Sequence, residues 1–358
     1  MKHVGIDLGL RQSSVCVVDE RGRVVRAETL KTTELEMFFA RSEPSRIAIE
    51  SCSESRLIAL AAQKYGHDVC VVPAKFVRSL NIGCRGIKTD ARDAKSLALA
   101  SFRLGDELPQ IPIRSDASYV LHELTRARAS LLKIRTAAVN YVHSYLRKNH
   151  LAHVPKRSKT LRENVQKLLG DELPVELIAH LAIIDSVNAQ LEALDAKLLE
   201  HAKSEAATRL QKIAGVGPIV ALTFIATIDD PNRFATGSDL ASYLGLSPGE
   251  HTTGGRIKRT GITASGQSMM RGLLVQGAHS MMNARKTREP MAEWAAAIQA
   301  RSNRKRAVCA LARRLAVVMW AMLRDGTSYD PLKTRPRAPR PTSSLNSQLK
   351  DAMRQPAA

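Results

Sequence analysis

Three short β-rich runs, Val4 to Leu8, Ser14 to Asp19 and Val24 to Ala27, open the chain with turn residues such as Asp19 to Gly22 between them. Runs of this length read as an antiparallel meander of two hairpins. A helical stretch (Glu34 to Arg41), a strand (Arg46 to Glu50), a helix (Ser53 to Tyr65) and a strand (Asp68 to Val72) then alternate. That alternation predicts a mixed sheet covered by helices.

Three antiparallel strands followed by α/β units is the order of ribonuclease-H-like folds, and acids punctuate it. Asp7 lies in Gly5-Ile6-Asp7-Leu8-Gly9, Glu50 ends Ile47-Ala48-Ile49-Glu50, and Asp90 and Asp93 follow in Lys88-Thr89-Asp90-Ala91-Arg92-Asp93-Ala94. Glu50 falls at the C-terminal end of its strand, where open α/β sheets place their sites. An acid ending an apolar strand costs stability unless paired or metal-bound, and Glu50 has no local partner in the sequence. Asp90 and Asp93, three apart on a helix expected from Thr89 to Phe102, share a face with Ala94, Leu97 and Phe102 that is expected to turn toward the sheet. The same two acids also suit a plain helix start, with Thr89 or Asp90 as the cap and Asp93 complementing the dipole. Clustered oxygen ligands hold hard divalent cations such as Mg²⁺, the metal chemistry common in phosphodiester cleavage.

Charge identifies the partner. The chain's 54 Lys and Arg outnumber its 34 Asp and Glu, for a net +20 over 358 residues. An excess of this size, gathered in clusters, favours a nucleic acid. The five cysteines (Cys16, Cys52, Cys70, Cys84, Cys309) include no C-x-x-C pair and read as reduced thiols of a cytoplasmic protein. No apolar run approaches 18 residues and the N-terminus runs straight into a strand, so neither a membrane span nor a signal peptide is expected.

From about Ser115 the pattern becomes helical. Leu121, Leu124, Leu131, Leu132, Ile134, Val139, Val142 and Leu146 are spaced for one long helix, and Leu177, Leu181, Ile184, Leu191, Leu194 and Leu198 for a second with a coiled-coil seam. Asn188 falls near that seam, where it would fix register. The domains expected are therefore 1–114, a helical arm over 115–205, a mainly helical C-terminal domain over 206–326, and a basic, Pro-rich disordered tail over 327–358. Leu210 to Pro218 resembles the hairpin of a helix-hairpin-helix, whose glycines, here Gly215 and Gly217, let backbone amides approach a phosphate. An ordinary Gly-rich turn between core helices is the alternative. Gly5 to Gly9 also resembles the first phosphate loop of actin-like and sugar-kinase ATPases, but no second phosphate loop follows.

With these residues placed, the chain resembles the DEDD transposases of the insertion-sequence 110 family, its 1111 group included, and the related pilin-gene invertases. Leu210 to Pro218, Phe234 to Pro248, His251 to Gly255 with Gly261 to Thr263, and Ala310 to Ala316 followed by Trp320 carry the resemblance beyond the acids. It implies a RuvC-like N-terminal domain, a coiled-coil arm and a C-terminal transposase domain. It further implies Mg²⁺ or Mn²⁺ on Asp7, Glu50, Asp90 and Asp93 and a covalent protein–DNA intermediate. DNA and an element-encoded noncoding RNA guide are the implied partners of a homodimer or tetramer whose half-sites come from different subunits.

One departure matters. The position of the family's nucleophilic serine corresponds to Thr253, with Thr252 as the neighbouring alternative and Ser247 or Ser265 behind them. A threonine hydroxyl can serve in covalent catalysis, although its branched side chain is stiffer at χ1. Thr252 and Thr253 can also be read as a polar turn beside Gly254 and Gly255. Lys88, Arg256, Lys258, Arg259 and Arg271 are the candidate backbone contacts to nucleic acid, with Arg301, Arg304, Lys305 and Arg306 as a second basic cluster. His251 stands where it would assist proton transfer. A hydrolytic RuvC-like nuclease, using the acids with water, and a noncatalytic binding descendant are the other functions compatible with the sequence.

Overall fold

The computed structural model describes residues 1–80, 89–155, 157–170, 172–253, 256–284 and 289–334, with the backbone alone over 251–259. Contacts divide the chain into two compact units, Met1–Ser115 and Asp116–Ala358.

The first unit is a five-stranded mixed sheet with helices on both faces. Its strands are β1 (His3–Asp7), β2 (Gln12–Val18), β3 (Val24–Lys31), β4 (Arg46–Glu50) and β5 (Asp68–Val72), in the order β3-β2-β1-β4-β5. The meander is antiparallel, while β1 pairs parallel with β4 and β4 with β5. Helices α1 (Leu35–Arg41), α2 (Ser55–Lys64), α3 (Ala74–Leu80) and α4 (Asp90–Leu104) complete it.

β3 runs four residues beyond the expected end at Ala27, because its pairing with β2 continues to Lys31 opposite Gln12. Just past it, the Thr32 hydroxyl donates to the Gly9 carbonyl at 2.7 Å. Arg26, Glu28 and Lys31 keep this edge charged, which discourages pairing with another chain.

Alternation along the strands divides the sheet into two faces. Val4, Ile6, Val15, Val17, Ile47 and Ile49 point to α1 and α2, where Leu35, Phe39, Ala59 and Ala62 are buried with them. The opposite face carries Cys16, Val18, Ala48, Cys70 and Val72 against α4, through Ala94, Leu97 and Ala98. Gly5 belongs to this second face. A Cβ built on it would stand 2.0 Å from the Ala94 carbonyl oxygen and 2.4 Å from the Ala98 nitrogen, so α4 rests directly on the β1 backbone and only glycine fits beneath it.

The second unit begins with α5 (Asp116–Lys148), then α6 (Leu161–Leu169) and α7 (Val175–His201). α5 and α7 lie antiparallel. Val142 and Leu146 pack with Leu177 and Leu181 at one end, while Arg128 reaches Asp195 at 2.6 Å nearer the other. Leu161 and Val165 of α6 close the first end. Asn188 accepts from Arg135 at 3.0 Å and donates to the Ser158 carbonyl at 3.3 Å, tying both helices to the segment before α6. Ile134, one of the apolar residues spaced along the first helix, is 47% exposed. Among the described residues, α7 alone is long and apolar enough, by length and composition, to cross a bilayer, although acids interrupt it and no unbroken apolar run approaches that length. It carries Asp185, Glu192 and Asp195, which pair with Arg162, Lys159 and Arg128; its Leu177, Leu181, Leu191 and Leu198 are buried, while Leu199 is exposed.

The rest of the unit comprises α8 (Glu205–Gln211), α9 (Pro218–Ile228), α10 (Gly237–Tyr243), the ribbon β6 (Pro248–Thr253) and β7 (Arg256–Ile262), α11 (Ser268–Asn283), α12 (Pro290–Arg301) and α13 (Arg304–Asp325). One core joins α9 to α13, with Leu222, Phe224, Leu274, Leu311, Leu315 and Met319 almost fully buried.

Candidate active site and nucleic-acid surface

Three of the four acids converge on one end of the sheet. β1 and β4 pair in register from His3 opposite Arg46 to Ile6 opposite Ile49, which makes Asp7 and Glu50 the next residues of adjacent parallel strands. By alternation both point to the face of Gly5 and Ala48 that α4 covers. α4 runs antiparallel to β1, since Ser101 Oγ lies 2.9 Å from His3 Nδ1 while Ala94 lies over Gly5. Its first turn is thereby brought to the Asp7 and Glu50 end. Asp93, in that turn, is 2% exposed.

Asp90 behaves differently from the expectation that both helix acids turn inward. It is exposed, although it shares Asp93's side of the helix, because it lies a turn nearer the helix terminus. Thr89 sits at the N-cap with extended backbone (φ −142°, ψ 144°), but its side chain makes no capping hydrogen bond. Asp93 still gains from the helix dipole.

An all-carboxylate donor set fits a hard divalent cation by its chemistry. In this conformation, among the described residues, no three His, Cys, Asp or Glu side chains form a group able to hold one. Lys88 lies outside the described residues.

Thr252 and Thr253 end β6. Their backbones pair with Ile257 and Arg256 across the ribbon, and Glu250 and His251 pair with Arg259 and Lys258. The structure thus makes a strand end of a segment that could also be read as a polar turn.

The ribbon is held at its foot. Thr263 N–H donates to the Ser247 carbonyl at 2.9 Å and Ala264 N–H to the Gly245 carbonyl at 3.2 Å. Arg271 Nη1 donates to the Leu244 carbonyl at 3.1 Å and the Ser265 carbonyl at 2.9 Å. Arg271 is therefore a structural tie between the two ends of the ribbon, a role its place in a basic cluster did not indicate. Ser247 Oγ is engaged with Ser242 Oγ at 2.9 Å.

The glycines after α8 also divide their tasks. Gly215 has φ +80°, and a Cβ there would stand 2.3 Å from the Gly277 carbonyl oxygen of α11. It serves close backbone packing. Gly217, at the N-cap of α9, has open space where a Cβ would be.

One feature escaped the sequence reading altogether. A cavity of about 980 Å³ opens at the ribbon's foot between Pro248, Thr260 and Ile262 on one side and α13 on the other. Arg306, Ala310, Arg313 and Val317 line it from a single face of α13, at spacings of four, three and four. That periodicity was the available signal. Arg314 stacks over Trp294 with its guanidinium carbon 4.8 Å from the ring centroid, and burial lowers its pKa from the ordinary arginine value.

A mixed sheet bearing carboxylates at one end, followed by a helical unit, is consistent with a DEDD-type transposase, and comparison with known proteins agrees. A transposase model of the DEDD, insertion-sequence 110 type matches residues 4–150, and the model of the IS116/IS110/IS902 transposase family matches residues 207–294. A probable family 20 transposase of Pseudomonas aeruginosa is 29% identical over 92% of this chain and 99% of its own length. The transposase of element IS1328 from Yersinia enterocolitica is 26% identical over 91% of this chain and 98% of its own, and that of IS1111A from Coxiella burnetii 25% identical over 92% and 91%. The chain belongs to the IS110 family of insertion-sequence transposases, enzymes that bind DNA.

Proposed function

We propose that this transposase cuts and rejoins DNA through a covalent protein–DNA intermediate, with the Thr253 hydroxyl as nucleophile and Thr252 as the alternative. The reading rests on one observation above the rest: Asp7, Glu50 and buried Asp93 are directed to one end of a five-stranded mixed sheet by strand register and by the contact of α4 with Gly5. Asp90, one turn out, completes the set. These carboxylates would hold a divalent cation, Mg²⁺ or Mn²⁺, which when bound would supply charge neutralisation at the phosphorus.

The Thr253 oxygen forms a bond to phosphorus, the bond from phosphorus to the 3′ oxygen breaks, and that oxygen takes a proton from solvent water to leave as a 3′ hydroxyl. The phosphate stays on the threonine until a second 3′ hydroxyl displaces it, so strand energy is conserved without nucleotide hydrolysis. His251 accepts the threonine proton. Lys88, Arg256, Lys258 and Arg259 position backbone phosphates, as do the amides around Gly215 and Gly217. Arg271 contributes by holding the ribbon. A noncoding RNA of the element guides the choice of DNA, and the α5–α7 arm joins subunits as a coiled coil so that half-sites come from different copies. Exposed Ile134, Tyr141, Ile178 and Ile183 on that arm support self-association.

The test is a denaturing gel with labelled junction DNA, the element's RNA and Mg²⁺. A protein–DNA adduct is expected from the native chain, at least about a hundredfold less from Thr253→Ala and Asp93→Asn, and unchanged from Thr252→Ala. Cleavage that persists in Thr253→Ala with no adduct would replace this reading with hydrolysis by water.

A further inference from the structure

The cavity at the ribbon's foot has the chemistry of a nucleotide site. Leu246, Ile262, Val317 and the Trp294 ring give it apolar and aromatic walls. Lys305, Arg306, Arg313 and Arg314 bring four cations to it, and none of its described lining residues is acidic. Its volume of about 980 Å³ lies at the upper end of the range for small-molecule sites, roughly 300–1,000 Å³, and accommodates a base with its sugar and phosphate. Aromatic surface takes the π-face of an unstacked base, and a cationic rim takes the phosphate that accompanies it. Duplex DNA, whose bases are stacked inward, offers the rim its phosphates but gives the apolar walls nothing to cover.

We infer that this cavity binds an unpaired nucleotide of a DNA strand, with the base against Val317 and the planar Arg314 guanidinium that covers Trp294, and the adjoining phosphate on Arg306 and Arg313. DNA is chosen over RNA because the protein is a DNA-binding transposase, and the inference rests on the functional reading to that extent. The chain's own segment after Thr334, which is rich in arginine and lysine, is a poor occupant because it would bring cations to a cationic site. The position suits the reaction. Pro248 and Thr260 form part of the cavity wall, and Thr253 lies about five residues, or ~17 Å, further along β6. A strand anchored here by one unstacked nucleotide would run along the ribbon toward its tip.

Cys309 lines the cavity and supplies a probe, since burial raises its thiol pKa and makes alkylation slow enough to time. The full-length protein is alkylated with iodoacetamide with or without a single-stranded DNA hexamer, its blunt duplex or the RNA hexamer, and the Cys309 peptide is quantified by mass spectrometry. The DNA hexamer is expected to slow alkylation at least about fivefold, and the duplex less than twofold. Ala310→Phe, which fills the cavity, should weaken hexamer binding about tenfold by fluorescence anisotropy. Lys305→Ala with Arg306→Ala, two exposed positions that spare the core, should reduce the slope of log affinity against log salt by about 1.4. An unprotected Cys309 at saturating hexamer overturns the inference. So does tighter protection by RNA, or protection without any oligonucleotide that vanishes when residues 335–358 are removed. Thr253→Ala separates this site from the catalytic reading: loss of adduct with Cys309 protection intact is expected, and protection without any adduct in the native chain would sink only the catalytic reading.

Discussion

The two parts of the proposed catalytic apparatus are supported in opposite ways. The carboxylates stand on the central strands of a five-stranded sheet and on a helix seated against its backbone. Their positions follow from pairing register, a buried core on both faces and the Gly5 contact. The proposed nucleophile stands at the end of a two-stranded ribbon, an element that is marginal by itself and is tied at its foot by Arg271 and two backbone hydrogen bonds. A carboxylate cluster gains from a rigid frame that holds like charges together. The proposed nucleophile's place follows instead from the local pairing of two strands and from the residues that hold the ribbon's foot.

The sheet side breaks with one atom. Gly5→Val places a branched side chain where even a Cβ would sit 2.0 Å from a carbonyl oxygen. α4 must lift from the sheet, at a cost of about 3 kcal/mol or more. Urea unfolding should show the first unit destabilised to that extent, with adduct formation lost as Asp93 leaves its place. Unchanged stability would mean that α4 does not set the carboxylate geometry.

The ribbon side should fail more gently. Arg271→Ala removes two hydrogen bonds from a charged donor, worth about 1–3 kcal/mol together because the side chain is only half-buried. Hydrogen exchange should rise at Leu244, Ser265 and the ribbon strands, while the amides of β1 and β4 keep their protection. Adduct formation should fall well before the binding of duplex DNA does. Equal loss of both would make Arg271 a phosphate contact rather than a tie.

The same contrast explains what the sequence disclosed. Strand alternation and the placing of acids at strand ends are local properties, so β1, β4, β5 and the helix after Thr89 could be read with boundaries off by a residue or two. The exposure of Asp90 could not, because it depends on how far α4 overhangs the sheet, a tertiary quantity. The exposure of Ile134 was hidden for a related reason: apolar spacing locates a residue on a helix but does not say which neighbours cover it. Arg271 looked like one more surface cation, and only the meeting of Leu244 with Ser265, far apart in sequence, gives it a task. The cavity was hidden because its walls come from the ribbon, α12 and α13, although the face through Arg306, Ala310, Arg313 and Val317 was visible in principle.

The smallest effect sharpens the sheet side from its far end. His3, at the start of β1, lies beside Ser101 Oγ and edge-on to Phe102, so it anchors the end of α4 opposite the acids. Burial first, and then the charge of Arg46, lower its pKa below 6.5. The native state therefore binds a proton less readily than the unfolded chain. His3's contribution to stability is fully present above about pH 6.5, the unfolded value, and is lost as pH falls through the lowered native one. Unfolding free energies between pH 7.5 and 5 should fall for the native chain, with a slope from this residue of at most about one proton. His3→Gln, which keeps a hydrogen-bonding group without a titration, should flatten the curve by that amount, and a variant as steep as the native chain would show that the anchor does not titrate. If the anchor loosens on acidification, protection at Ala98 and Ser101 should drop before that at Ala94, because the Gly5 contact still holds the acid-bearing end in place.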